Sequence, residues 1–433
     1  MSVSAAPELS YFGKIRSFGW NARMYLLHIF GMDVIHGAWE VLFNLYLLQI
    51  GFDLKFVGLR LAVLGIAAAL TSIPAGRLAD RLDRKWGFII GDGGGAACAV
   101  ILIMSTDGMT ILAFSAISAA FGALHHVTEV PFMAENSEPR ERIHLFSVGS
   151  GFRTLAAMFG ALVAGFLPRM LVGDGMDMVD AYRFAVHVGI GWWFISLIPA
   201  VLLRRNPIIE EDEEAATGEV KKGVFAAIRT PQTVFRFVAI SAILGLGAGF
   251  VLRLANVFFL QDAHAQEHEI GAVFAAGSLF LAIGAFLAPF VVARLGEVAS
   301  IFWTRFAAIP FILLIGYAPA LASPEAVVSL AGLAWVLRTT LFNMSNPVMD
   351  SFSMGRLQPS ERATFVGISS MFSSGLAAVG AYLGASLMSG GDYRTPFIAM
   401  AVAYLISTYL FLHWFRGTEG LSDPARRRSA ADG

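Results

Sequence analysis

Apolar runs of about 20 residues, separated by short polar intervals, recur along the whole sequence. Coiled as a helix, such a run reaches roughly 30 Å, the thickness of a bilayer's hydrocarbon core. A membrane-spanning barrel would instead need segments of about 10 residues with alternating polarity, and none is found. Twelve helices of about 20 residues consume about 240 residues. The rest of a 433-residue chain then forms loops and two tails, with no room for a large soluble domain. Composition agrees: only 15% of residues are charged, where soluble domains carry about 25%, and the mean hydropathy is +0.66. The expected fold class is an all-α integral membrane protein.

Helices are expected at about 22–49, 56–75, 87–105, 109–134, 144–168 and 181–203, then at about 233–260, 270–292, 299–318, 326–349, 363–388 and 395–416. Residues 1–21 read as a lead-in rather than a signal peptide, because no short apolar core precedes a small-residue cleavage site. Residues 204–232 hold the long interior polar interval, with acids from Glu210 to Glu214, and read as a linker between halves 22–203 and 233–416; 417–433 is a tail. Of the 31 Lys and Arg, 22 fall on the side that holds both termini and this linker. Five fall on the other side (Lys55, Arg60, Arg169, Arg183, Arg394), and four are placed inside helices. Positive charge accumulates on the cytoplasmic face, so both termini are expected in the cytoplasm, with a bacterial inner membrane as the location. Cys98 has no partner for a disulfide and reads as a small buried residue.

The two halves echo one another. Asn44-Leu-Tyr-Leu-Leu-Gln49 matches Asn256-Val-Phe-Phe-Leu-Gln261, and Pro74 with Arg81-Leu82 is echoed by Pro289 with Arg294-Leu295. Pro131-Phe-Met133 matches Pro347-Val-Met349, and Pro-x-Glu-Arg recurs at Pro139–Arg142 and Pro359–Arg362. The matches keep their order, with offsets of about 212 to 220 residues. They argue for two homologous six-helix halves, an arrangement in which transporters place substrate near the midplane between repeats.

Between helices 2 and 3 the chain reads Gly76-Arg-Leu-Ala-Asp80-Arg81-Leu-Asp83-Arg84-Lys85. This resembles the major facilitator superfamily signature G-x-x-x-D-[RK]-x-G-[RK]-[RK], with Asp83 in place of the second glycine. The resemblance covers the whole chain and implies twelve helices in two pseudo-symmetric halves working by alternating access. It also implies that Gly76, Asp80, Arg81, Arg84 and Lys85 form a conformational latch. Glu135 and Arg142, with Glu138, Arg140 and Glu141, look like the companion charges after helix 4, and the counterpart after helix 8 keeps only Arg294 and Glu297. In chemical terms, Gly76 permits close approach at a helix end and the cations can meet acids or headgroups. Drug antiporters of the superfamily carry G-P-x-x-G-G in helix 5; here Gly160-Ala-Leu-Val-Ala-Gly165 lacks the proline and the paired glycines. The small residues Gly149, Gly151, Gly160 and Gly165 suit close helix packing.

Charge inside the bilayer is costly and marks function or a paired partner. Asp33, His36, Glu40 and Asn44 fall within about 80° on one helix, over about 16 Å of its length. His125 and Glu129, and His126 and Glu129, share a face of helix 4. Arg153 on helix 5 should lie at the depth of His125 and can pair with Glu129. The second half carries Arg253, Arg305 and Arg338 without a deep acid. The repeat offset brings Arg253 level with Glu40 and Arg338 level with Gly122, whereas Arg305 should snorkel or pair with loops. Two readings stay open. Arg253 or Arg338 pairs with Asp33 or Glu40, and protonation opens the pair; or the arginines bind an anionic group of the substrate while acids and histidines handle protons. A wet vestibule lined by these groups is the bland alternative. His187 reads as structural.

The expected function is secondary transport of a small organic solute coupled to protons, with Asp33, His36, Glu40, Asn44, His125, His126, Glu129, Arg153, Arg253, Asn256 and Arg338 as candidate substrate or coupling residues. The alternatives are a proton-independent facilitator or exporter of amphipathic compounds, and a sensor built on a transporter fold. No H-E-x-x-H, G-x-S-x-G or P-loop stands in a suitable context, and the His125–His126 pair lacks the ligand set of a zinc site. Enzyme activity, a cofactor, a metal and a nucleic-acid partner are therefore not expected. The partners are a substrate, protons and lipid, and the expected state is a monomer.

Overall fold

The computed structural model describes residues 17–137, 142–204 and 228–417. They form twelve long helices: α1 (Trp20–Gln49), α2 (Leu54–Arg81), α3 (Arg84–Met104), α4 (Gly108–Glu135), α5 (Arg142–Gly173), α6 (Met178–Val201), α7 (Pro231–Val251), α8 (Glu267–Leu295), α9 (Glu297–Leu321), α10 (Val327–Arg356), α11 (Pro359–Ser389) and α12 (Arg394–Phe415). No strand occurs among the described residues. Eleven spans are long and apolar enough to cross a membrane, counting α7 with its continuation; α8, at 29 residues, is the twelfth long helix. The even number returns both ends of the described chain to one side, here the terminal side; the other is the distal side.

The starts of the helices are written in the sequence. Asp53, Asp83, Asp107 and Asp177 cap α2, α3, α4 and α6, each accepting a backbone N–H of the first turn. A carboxylate there satisfies an otherwise orphan donor and faces the positive end of the helix dipole. Gln266 with Glu269 and Gln358 with Glu361 close capping boxes on α8 and α11. Asp83 thereby explains the departure from the signature: its carboxylate accepts from Lys85 N at 3.0 Å and starts α3.

Two expected boundaries change. α2 runs through Pro74 to Arg81, so Gly76, Asp80 and Arg81 lie on its last turns rather than in a loop. The seventh span is not continuous: α7 passes through a 3-10 turn at Leu252–Leu254 into a short segment, Ala255–Gln261. Irregular backbone at such a depth needs a partner inside the protein, and the Arg253 carbonyl finds one in Asn44 Nδ2 at 2.7 Å.

α1 packs on α5 and α6, and α3 and α4 pack on each other; α7 packs on α11 and α12, and α9 on α10. Glycine sets the tightest of these seams. A Cβ on Gly160 would collide with the Val34 carbonyl, and one on Gly37 with the Ala157 carbonyl. Gly165 meets α8 closely, whereas Gly149 and Gly151 have no such neighbour and Gly76 has nothing within 4 Å. Close approach therefore accounts for half of the small residues picked out on α5, and not for Gly76.

The first and second sets of six helices meet along α2–α11, α5–α8 and α1 with the segment after α7. These seams lie distally: Gly58 faces Ala385, Gly65 faces Ala378, and Gly271 faces Gly165 and Ala161. A single hydrophobic core joins both sets there, including Leu47, Val57, Ala161, Val257, Phe258 and Ala381. On the terminal side the core parts into separate clusters, the larger ones around Tyr25, Phe88 and Phe132 and around Phe237, Phe352 and Phe415, with a small one around Ala79 and Leu124. The molecule is closed distally and parted on the terminal side.

Candidate functional site

The stripe on α1 opens onto the gap between the helix sets. His36 and Glu40 are exposed mid-helix although most of α1 is buried around them. His36 Nδ1 lies 3.3 Å from Asp33 Oδ1. Behind Asp33 stands Arg153 of α5, whose Nε is 3.8 Å from Asp33 Oδ2. The same guanidinium meets Glu129 Oε1 of α4 and donates to Tyr25 Oη at 3.2 Å; Tyr25 in turn donates to Glu129 at 2.8 Å. One arginine is thus shared by two carboxylates on two helices, with a histidine on the cavity side.

Continuing inward, His125 Nε2 is 3.9 Å from Glu129 Oε2 and its Nδ1 is 2.8 Å from Asp92 Oδ2. His28 Nε2 is also 2.8 Å from that oxygen, and His28 Nδ1 donates to the Ser196 carbonyl at 2.8 Å. His28, Asp92 and His125 are 0%, 2% and 3% exposed. Their ligand atoms, and those of His125, His126 and Glu129, lie within 4.8 Å of one another. The 2.8 Å N–O contacts at Asp92 are hydrogen-bond lengths; around a tetrahedral metal with bonds of about 2.0–2.1 Å, ligand atoms stand about 3.3 Å apart. The geometry is that of a hydrogen-bonded network. His126 lies beyond it, exposed, with its ring edge-on to His125 at 5.6 Å.

Tyr25, His28 and Asp92 were not among the residues singled out from the sequence. Asp92 lies in Gly91-Asp-Gly-Gly-Gly95, where the glycines draw attention to packing. That packing is real: Gly91 comes against the backbone of His125 and Gly94 against Phe121. An acid inside an apolar run was the available signal.

The arginines of the second set do not meet the acids of the first. Arg338 is buried, donates from Nη2 to Tyr404 Oη at 2.9 Å and lies 5.4 Å from the Phe342 ring centre; it pairs with neither Asp33 nor Glu40. Arg305 neither snorkels nor reaches a loop: it is buried, donates from Nε to Ser345 Oγ at 2.8 Å and lies 5.2 Å from the same Phe342 ring. Phe342 therefore stands against two guanidinium groups, whose Nη1 (Arg305) and Nε (Arg338) have no hydrogen-bond partner. Aromatic faces and hydroxyls replace the carboxylate partners that the cost of burial seemed to demand. Arg60, counted with the distal loops, is instead buried in α2, 4.3 Å over Phe43, with Nε donating to Ser115 at 3.2 Å.

Arg253 is exposed on its 3-10 turn. Asn256 donates to the Glu40 and Val41 carbonyls at 3.0 Å each, so Arg253 and Glu40 are level, as the repeat offset predicts. No ion pair within 4 Å joins them among the described residues. His187 bonds the Arg183 carbonyl one turn back at 2.7 Å.

In the signature region, Arg84 donates from Nε and Nη2 to Glu135 at 3.1 and 3.0 Å, and Lys85 reaches the Val201 carbonyl. These contacts tie α3 to α4 and α6, all within the first set of helices. Arg81 is exposed. The side chains of Asp80 and Arg142, and residues 138–141 with their acids, lie outside the described residues.

Against this geometry, the profile of the Major Facilitator Superfamily matches residues 24–353, and the chain belongs to that superfamily. It is a membrane transport protein, not an enzyme, by family and fold. No curated protein matches its sequence. Among solved structures, the nucleoside transporter NupG is 16% identical with a TM-score of 0.70, the match covering 92% of this chain and 99% of that one. A bacterial homologue of the iron transporter ferroportin, inward-facing, is 18% identical with a TM-score of 0.71, over 92% and 98% of the two chains. A bacterial homologue of the lysosomal transporter Spinster, inward-facing and unoccupied, is 16% identical with a TM-score of 0.66, over 94% and 97%. At these identities the likeness is one of fold.

Proposed function

We propose that this protein is a secondary transporter that moves a small organic solute by alternating access, with transport coupled to protons. The observation that carries the reading is the pair of carboxylates sharing Arg153 beside an exposed histidine. One guanidinium balances one carboxylate. Glu129 holds Arg153 together with Tyr25, and Asp33 is left to share it at longer range and to lean on His36. Protonating Asp33 or Glu129, or moving a proton on or off His36, redistributes Arg153 between α1 and α4. That is a local electrostatic change joined to helices that must move.

Glu40 and Arg253 supply the second element. They face the gap from opposite sets of helices at one depth, unpaired within 4 Å, and a zwitterionic or anionic solute can bridge them. Arg253 is the group for an anionic moiety of the substrate, and Arg338, buried against Phe342 and Tyr404, is a fixed part of the second helix set. The distal closure corresponds to the inward-facing state of a protein whose termini are cytoplasmic. Asn44 and Asn256 belong to the closed gate rather than to the substrate.

The experiment is reconstitution into proteoliposomes after a thermal-shift screen of metabolites at two pH values, followed by uptake of the stabilising compound under an imposed pH gradient. The expected result is gradient-driven accumulation that is lost in Asp33→Asn/Glu40→Gln, with ligand stabilisation lost in Arg253→Ala. Accumulation unchanged in the double variant sinks the coupling assignment. Uptake that ignores the gradient in the wild-type protein favours a proton-independent facilitator.

A further inference from the structure

Hydrogen-bond accounting in the innermost network fixes a proton count. The Ser196 carbonyl only accepts, so His28 Nδ1 must carry the hydrogen of their 2.8 Å bond. The other nitrogen, Nε2, lies 2.8 Å from Asp92 Oδ2. With a neutral ring and an ionised carboxylate, two lone pairs would face each other in a site that is 0–2% exposed. A proton must lie between them. The pair is therefore imidazolium with carboxylate, or imidazole with carboxylic acid, and both carry the same number of protons.

The charges around it fit that count. Three buried carboxylates lie in this part of the first helix set: Asp33 and Glu129 share the Arg153 guanidinium, and Asp92 has only the two histidine rings. The elements packed there contribute Tyr25, His28, Asp33 and His36 from α1, Asp92 from α3, His125, His126 and Glu129 from α4, Arg153 from α5 and the Ser196 carbonyl from α6. His28 and His125 stand equally close to Asp92, each 2.8 Å from Oδ2.

His125 gives the site its connection. Its Nδ1 also lies 2.8 Å from Asp92 Oδ2, and its Nε2 is buried with no hydrogen-bond partner, 3.9 Å from Glu129 Oε2. The ring stands between two carboxylates with one nitrogen toward each. The Glu129 gap is about 1 Å beyond hydrogen-bond reach, and Glu129 is held away by Arg153 and Tyr25. In this conformation the inner site is cut off from the cavity.

We propose that His28 and Asp92 form a buried proton-binding site, occupied by one proton in the distally closed state and connected to the cavity through His125 and Glu129 when Arg153 releases Glu129. In filling, the Glu129 carboxyl passes its proton to His125 Nε2, the His125 Nδ1 proton moves to Asp92 Oδ2 and is shared with His28 Nε2, and a flip of the His125 ring restores an N–H toward Asp92. Emptying runs the same transfers backwards. The site itself stands on geometry; its use in transport rests on the proton-coupling reading above.

The test is magic-angle-spinning NMR of the full-length protein, with ¹⁵N-labelled histidine, in liposomes at neutral pH, alongside infrared difference spectra. One ring should show both nitrogens protonated and should vanish in His28→Gln, or a protonated-carboxyl band should vanish in Asp92→Asn; two variants guard against misfolding of either. His125→Phe should keep the signal and slow its exchange in D₂O by more than about tenfold, a rise of about 1.4 kcal/mol in the exchange barrier. Absence of both signatures, or a stoichiometric divalent metal by elemental analysis, overturns the site. Unchanged exchange in His125→Phe overturns the path. Intact signatures with uptake that ignores a pH gradient leave the site standing and sink the coupling reading instead.

Discussion

Asn44 and Asn256 hold each other's helices reciprocally. Asn44 Nδ2 donates to Asn256 Oδ1 at 3.2 Å and to the Arg253 carbonyl at 2.7 Å; Asn256 Nδ2 donates to the Glu40 and Val41 carbonyls at 3.0 Å each. Each side chain thus satisfies the backbone about one turn before the other. The two residues are 212 apart and open the matching segments Asn44–Gln49 and Asn256–Gln261, so equivalent positions of the two helix sets form both halves of the clasp. They are 6% and 1% exposed, which makes the clasp dry.

Breaking the clasp should open the distal side. A hydrogen bond of this kind contributes about 1 kcal/mol net, a shift of about fivefold in a two-state population. Asn44→Ala and Asn256→Ala should each raise the distally open population by about that factor. Together they should do less than the sum, because the residues share bonds. Spin labels on the exposed distal residues Asp174 and Glu325, read by pulsed dipolar spectroscopy, would show it. Full additivity of the two substitutions would contradict a mutual clasp.

The α5–α8 seam should respond more strongly. A Cβ on Gly271 would lie 2.6 Å from the Ala161 carbonyl oxygen and 2.9 Å from Gly165 Cα, both backbone atoms that cannot step aside. Gly271→Leu therefore wedges the seam at a cost of about 1–2 kcal/mol, disfavouring the closed state by a factor of about 5 to 30. The same spin-label pair should report a longer distal distance, with Gly151→Ala, which meets nothing within 4 Å, as a silent control.

Arg153 should be needed mainly because of what it leaves behind. Its removal strands Glu129 and Asp33 in low dielectric, whereas removing the charges together does not. Arg153→Met should destabilise by as much as about 3 kcal/mol, at the low end of the range for buried pairs because its side chain is 28% exposed. Arg153→Met/Glu129→Gln should recover the Glu129 share of that loss, and adding Asp33→Asn should recover the rest. A thermal-unfolding cycle with both single variants checks it, and an Arg153→Met protein as stable as wild type would contradict the pairing.

Architecture was legible because hydrophobic length acts over whole segments. The Arg153–Glu129 pair was legible because both lie at computable depths on adjacent antiparallel helices. What escaped depends on direction rather than depth. The α1 stripe is real, but Asn44 turns to Asn256 at the gate while Asp33 turns to Arg153. The sequence points Arg338 to an acid or to an anionic group of the substrate and Arg305 to the surface or the loops, yet the ring of Phe342 and the hydroxyls of Tyr404 and Ser345 serve both. His28 was missed because nothing local marks it; its partner Asp92 is 64 residues away.

Glu361 offers a pH signature outside the membrane-spanning segments. Burial works to raise its pKa, but the Thr230 hydroxyl and the backbone N–H groups of Gln358, Thr230 and Arg229 all donate to the carboxylate and hold it down at about 2. It ties the start of α7 to the start of α11 and closes the α11 capping box. A depressed pKa means that the ionised form is favoured in the folded state, so this stabilisation is complete above the ordinary value of 4.5 and is lost as pH falls towards about 2. Wild-type thermal stability should therefore fall across that window by more than that of Glu361→Gln, which keeps the shape but not the charge. At neutral pH the variant should melt lower than wild type, and the two curves should converge on acidification. Parallel curves from pH 7 down to the acid limit would show that Glu361 contributes nothing to this pH dependence.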